Sequence, residues 1–302
     1  MTRARALGGA VVAIAAVILA SCGGDTSERS TPGSGSPASP SDAAAGGADI
    51  GGYELAYSCL GEGSPTVLLE AGLGGPGLDV WDELLPMVAA SGAHVCTYDR
   101  AGVGVSDSRP SGDGRPTSAT QAGELHALLE AIGVSPPYVL VPHSYGGLVA
   151  RMFADRYPDE VAGFVFEDVS TAWEIDLWPR WDPSPWIDGR QTIDIDTTER
   201  LVLHAEALGP RPTIVLSQSR YDEDEEGIPP WAGPIFARQQ AKLAALGDDV
   251  IHVRAEDTGH FIHWERPELV VTAIAEVVRA VSTGTPLAPC EEVFDDPVAT
   301  CL

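Results

Sequence analysis

Tyr138-Val139-Leu140-Val141-Pro142-His143-Ser144-Tyr145-Gly146-Gly147 leads directly into Leu148-Val149-Ala150-Arg151-Met152-Phe153-Ala154-Asp155-Arg156-Tyr157-Pro158. The opening apolar run suits a strand buried on both faces, and the closing segment carries the spacing of an amphipathic helix. Between them Ser144 stands at a sharp turn whose small neighbours, Gly146 and Gly147, let the helix pass close to the strand. Such a turn lifts a hydroxyl above the sheet edge, at a helix N-terminus that favours developing negative charge.

Similar units recur on both sides of this one. Short runs rich in Val, Ile, Leu and aromatics begin near Thr66, Ala93, Tyr138, Gly163, Thr213 and Asp249. Amphipathic stretches separate them, at Trp81 to Ala90, Ser118 to Ile132, Leu148 to Tyr157, Phe236 to Leu246 and Pro267 to Val281. The alternation predicts an α/β domain over residues 53–285, a mostly parallel sheet with helices on both faces. One interval, residues 171–210, breaks it. With Trp173, Trp178, Trp181 and Trp186 among prolines and aspartates, it reads as a cap inserted over the sheet. Its indoles suit either the lining of an apolar substrate pocket or the packing of cap on body.

The chain has 302 residues with 18 basic against 44 acidic side chains and a single lysine, Lys242. This charge balance offers no footprint for phosphates and excludes nucleic acid as an expected partner. Arg3 and Arg5 precede an apolar run from Ala6 to Ala20 and then Cys22, the layout of a secretory signal over residues 1–21. Leu19-Ala20-Ser21-Cys22 resembles a bacterial lipobox, which implies lipid attachment at Cys22 and an extracytoplasmic, membrane-anchored protein; plain secretion is the alternative. Residues 22–52, rich in Gly, Ser, Pro and Ala, read as a flexible tether. Cys59, Cys96, Cys290 and Cys301 remain in the body, and two disulfides are expected in an oxidising compartment. Three pairings are open. A Cys290–Cys301 bridge would tie down the tail at 286–302 and leave Cys59 to pair with Cys96.

Ser144 and Gly146 match the G-x-S-x-G motif of the α/β-hydrolase superfamily, with Pro142 in place of the first glycine. The resemblance extends from about Tyr53 to Val281 and includes Asp99-Arg100-Ala101-Gly102-Val103-Gly104, similar to a supporting turn in these hydrolases. That turn is not a dinucleotide fingerprint, because Asp107 stands where the third glycine would fall. The resemblance implies Ser144 as nucleophile and His260, in Thr258-Gly259-His260-Phe261-Ile262-His263, as its base. It implies Asp222 as the acid, from the loop after the Thr213 strand, with Asp168, one strand earlier, as the alternative. It also implies an oxyanion site of the Tyr145 and Leu73 backbone N–H groups, the latter in a segment where Glu70 replaces the family's usual histidine. His263 makes an HxxH spacing with His260 and reads as a packing histidine, so no metal and no cofactor are expected. The implied activity is hydrolysis of small-molecule or lipid carboxylic esters through an acyl-enzyme, by a protein expected to be monomeric. A small peptidase or amidase of the same fold and an inactive binding lipoprotein are the alternatives.

Overall fold

The computed structural model describes residues 44–173, 185–205, 208–221, 231–295 and 297–302. Strands β1 (Ala44–Asp49), β2 (Glu54–Leu60), β3 (Thr66–Glu70), β4 (His94–Tyr98), β5 (Tyr138–Pro142) and β6 (Val161–Glu167) lie in the first part of the chain. After them come β7 (Ile187–Asp188), β8 (Gln191–Thr192), β9 (Thr213–Gln218), β10 (Val250–Ala255) and β11 (Ala299–Cys301). The described helices are α1 (Gly77–Val80), α2 (Leu84–Ala90), α3 (Ser118–Ile132), α4 (Gly146–Arg156), α5 (Ile195–His204), α6 (Gly233–Ala244), α7 (Ile262–Glu265), α8 (Pro267–Thr283) and α9 (Cys290–Val293). None of them is long and apolar enough to cross a membrane.

Nine strands form one sheet in the order β1-β2-β4-β3-β5-β6-β9-β10-β11. From β4 to β10 every pair is parallel, while β1, β2 and β11 add antiparallel edges. All six strands expected from the apolar runs are present. Side chains divide between the faces with period two, as strand geometry requires. Val67, Leu69, Val139 and Val141 enter a core under α2 and α8, whereas Leu68, Tyr138 and Leu140 enter a core with α3 and α4. Each fully buried aliphatic side chain contributes about 1.5–3 kcal/mol of transfer free energy.

The helix ends follow local chemistry. Thr117 caps α3 reciprocally with Thr120, and Gly133 closes it in the left-handed conformation at φ 72°. Pro267 opens α8 where a missing N–H costs nothing.

Three stretches differ from expectation. The tether reading extended to residue 52, yet Ala44–Asp49 pairs along β2 as an edge strand. Its small side chains are mostly exposed and backbone bonds hold it, so composition carried no sign of it. The cap reading falls partly on described residues: β7 and β8 form a hairpin and α5 follows, with Trp173 and Trp186 packed on the main core. Trp178 and Trp181 lie outside the described residues. The tail also contributes structure, since α9 and β11 are joined by the Cys290–Cys301 disulfide. The second disulfide links Cys59 and Cys96, which face each other across β2 and β4.

Candidate active site

Ser144 follows β5 and precedes α4, with a backbone φ of 50°. A serine in this left-handed region is strained by about 1–3 kcal/mol, and a strained residue persists only where its surroundings over-determine it. Here the end of β6 and the loop after it hold the serine backbone on both sides: Ser144 N–H donates to Glu167 O at 3.3 Å, and Ser170 N–H donates to Ser144 O at 2.8 Å. Gly146 lets α4 start against the end of β3, because a Cβ there would stand 2.6 Å from Glu70 O. Gly72 brings the loop after β3 against the serine, since a Cβ on it would lie 3.2 Å from Ser144 Cβ.

The same loop after β6 supplies the acid. Asp168, also left-handed at φ 40°, accepts His260 Nδ1–H on Oδ2 at 2.7 Å and Gln218 N–H on Oδ1 at 3.1 Å. Asp168, the alternative acid of the sequence reading, thus meets His260. Asp222 lies outside the described residues. His260 is held partly through its backbone, with His143 Nε2 donating to its carbonyl at 3.0 Å. One turn on, His263 donates both its backbone N–H, at 2.8 Å, and its Nδ1–H, at 2.5 Å, to Glu167 Oε1. Adjacent carboxylates thus hold histidines three residues apart, and the buried Glu167–His263 pair accounts for the HxxH spacing. Nothing in the sequence singled out Glu167 or His143; both needed the register of β6 against β5 and the return of the chain after β10.

Burial, reinforced by His260 and His263, keeps His143 well below the usual imidazole value. A depressed histidine contributes stability that is complete above its unfolded pKa, about 6.5, and is lost as pH falls below it. Burial raises Glu70 and Glu124 and acts in the opposite direction at lower pH, so a comparison of variants isolates the histidine. Between about pH 6.5 and 5.5, unfolding free energy should fall more steeply in the native chain than in His143→Gln, by up to about 1.4 kcal/mol per pH unit. Urea titrations across that range measure the two slopes, and equal slopes would contradict a neutral buried His143.

Leu73 follows Gly72 at the serine, and Tyr145 is the N-cap of α4 directly after it. The Asp99 turn is a support: its carboxylate accepts Leu78 N–H and Val105 N–H, both at 3.0 Å.

A parallel sheet carrying a strained serine turn between β5 and α4, with a histidine and an acid from later loops, is the arrangement of the α/β-hydrolase fold. Residues 65–194 match the model of the α/β hydrolase fold. The chain has the α/β-hydrolase fold. An uncharacterized protein of Bacillus subtilis, YqjL, is 25% identical over 72% of this chain and 85% of its own. A haloalkane dehalogenase of Sphingobium indicum is 31% identical over 41% of each chain. Among solved structures, a thermophilic esterase from Thermogutta terrifontis superposes with a TM-score of 0.54 at 23% identity, covering 79% of this chain and 99% of its own. This fold hosts many chemistries, so it assigns no catalytic role by itself.

Proposed function

We propose that the protein is a serine hydrolase that cleaves carboxylic esters of small molecules or lipids. The observation that carries this reading is the Asp168–His260 bond at 2.7 Å, made from the same loop whose Ser170 N–H holds the carbonyl of Ser144, a serine at φ 50°. Ser144 Oγ attacks the acyl carbonyl carbon and passes its proton to His260 Nε2. Asp168 keeps the other ring nitrogen protonated and stabilises the imidazolium. The N–H groups of Tyr145 and Leu73 receive the negative charge on the carbonyl oxygen, usually the largest contribution in such chemistry. The tetrahedral adduct then expels the alcohol, which takes the proton from His260, and water attacking the acyl-serine by the same route releases the acid.

An apolar acyl portion suits the mouth of the site. Leu73, 36% exposed, lies on the loop against Ser144, and Ile187, 51% exposed, stands on the cap hairpin beside it. The reading includes an extracytoplasmic location with lipid attachment at Cys22, in keeping with two disulfides in the body. The test is turnover of p-nitrophenyl esters of graded acyl length, alongside p-nitroanilides, with fluorophosphonate labelling mapped to Ser144. Ester turnover well above anilide turnover, with label on Ser144, is expected. Anilide turnover equal to ester turnover would favour an amidase, and absence of both turnover and label would favour a binding protein.

A further inference from the structure

Beneath the loop after β3 lies a buried group of charges that the Ser144–His260–Asp168 set does not use. Arg100, 2% exposed, donates Nη1 to Glu70 Oε1 at 2.7 Å, Nε to Asp188 Oδ2 at 2.8 Å and Nη2 to Asp188 Oδ1 at 2.7 Å. It also reaches the backbone, from Nη1 to Ala71 O at 2.6 Å and from Nη2 to Gly72 O at 2.5 Å. Asp188, 1% exposed, comes from the cap hairpin and accepts Gly74 N–H at 2.7 Å and Gln121 Nε2–H at 2.8 Å. Gln121 in turn accepts the Tyr145 hydroxyl at 2.6 Å.

These bonds set the direction of particular peptides. In a trans peptide the carbonyl of one residue and the N–H of the next point opposite ways. Pinning Gly72 O on Arg100 therefore turns the Leu73 N–H away from the guanidinium, and pinning Gly74 N–H on Asp188 fixes the far side of Leu73. Gly72 itself lies against Ser144. The second donor, Tyr145, is anchored to the same Asp188 carboxylate through Gln121. One side chain of the cap thus reaches both walls of the oxyanion site. Stability alone is a poor account of this group, because a buried ion pair often does no better than apolar packing of the same volume. Preorganised donors, by contrast, lose much of their effect when their direction is not held.

The geometry points to Asp188 and Arg100 as positioning residues that aim the Leu73 and Tyr145 N–H groups at the oxyanion, making the cap hairpin part of the catalytic apparatus. This rests on the serine hydrolase reading. In the full-length chain, Asp188→Asn and Arg100→Lys should each lower kcat by about 10-fold and Asp188→Ala by about 100-fold, with KM changed by less than about twofold. Rates are taken per site titrated with fluorophosphonate, so partial unfolding does not count, and Asp188→Asn serves where the alanine variant folds poorly. An alkyl trifluoromethyl ketone, which binds serine hydrolases as a hemiketal oxyanion, should lose affinity in the same proportion as kcat/KM. A purely structural role would leave that proportionality absent. Native kcat in the Asn and Lys variants, or unchanged ketone affinity beside a reduced kcat/KM, would overturn the positioning role while leaving the hydrolase reading intact. A native chain that neither turns over esters nor takes label at Ser144 would overturn both.

Discussion

Ser144→Ala should lower kcat for ester hydrolysis by about 10⁶-fold, and His260→Ala by a similar factor. The two side chains act as one unit, serine attacking only as the imidazole takes its proton, so the double variant should be no slower than either single one. The residue left after removal is the oxyanion site and whatever binding the cap provides. Steady-state rates of all three variants at matched folded concentration check this. A Ser144→Ala variant retaining more than about 1% of native kcat would place the nucleophile elsewhere.

Asp168→Asn should lower kcat by about 10⁴-fold with KM little changed. The cause is the tautomer. His260 Nδ1 keeps its proton and donates a hydrogen bond to Asp168 Oδ2 at 2.7 Å, whereas an amide facing that nitrogen favours the proton on Nε2, the atom that must accept from serine. Asp222→Asn provides the contrast and should stay within about twofold of native, because His260 Nδ1 already has its partner. If instead Asp222→Asn abolished activity and Asp168→Asn did not, the acid would come from the loop after β9. The left-handed φ of Asp168 supports the first outcome, since strain of this kind is kept where a side chain must be aimed.

The two acids show how far the sequence could be read. Both follow a strand, both are near the expected chain order, and Asp222 lies in the more usual place with several carboxylates beside it. Periodicity predicts the strands that precede them but not which loop reaches His260. That depends on Asp168 N–H bonding to Leu216 O and on Gln218 N–H bonding to Asp168, contacts between residues about fifty positions apart. Arg100 presents the same case. It stands in a motif quoted from the sequence, yet its partners Glu70 and Asp188 are far from it along the chain and from each other.

What the sequence determined by itself was whatever depends on neighbours along the chain. Buried strands appear as unbroken apolar runs, helices as amphipathic periods, and the serine turn as small residues between one strand and one helix. The even set of body cysteines, too, was legible as a pair of bridges. Tertiary structure alone decided the rest: the edge strand β1, held by backbone bonds that no side chain announces; Asp168 as the partner of His260; and the cap carboxylate that ties Arg100 to the loop beside Ser144. Side chains far apart in sequence meet only when the sheet has set its register, and the direction of a single peptide N–H is a property of that assembled register.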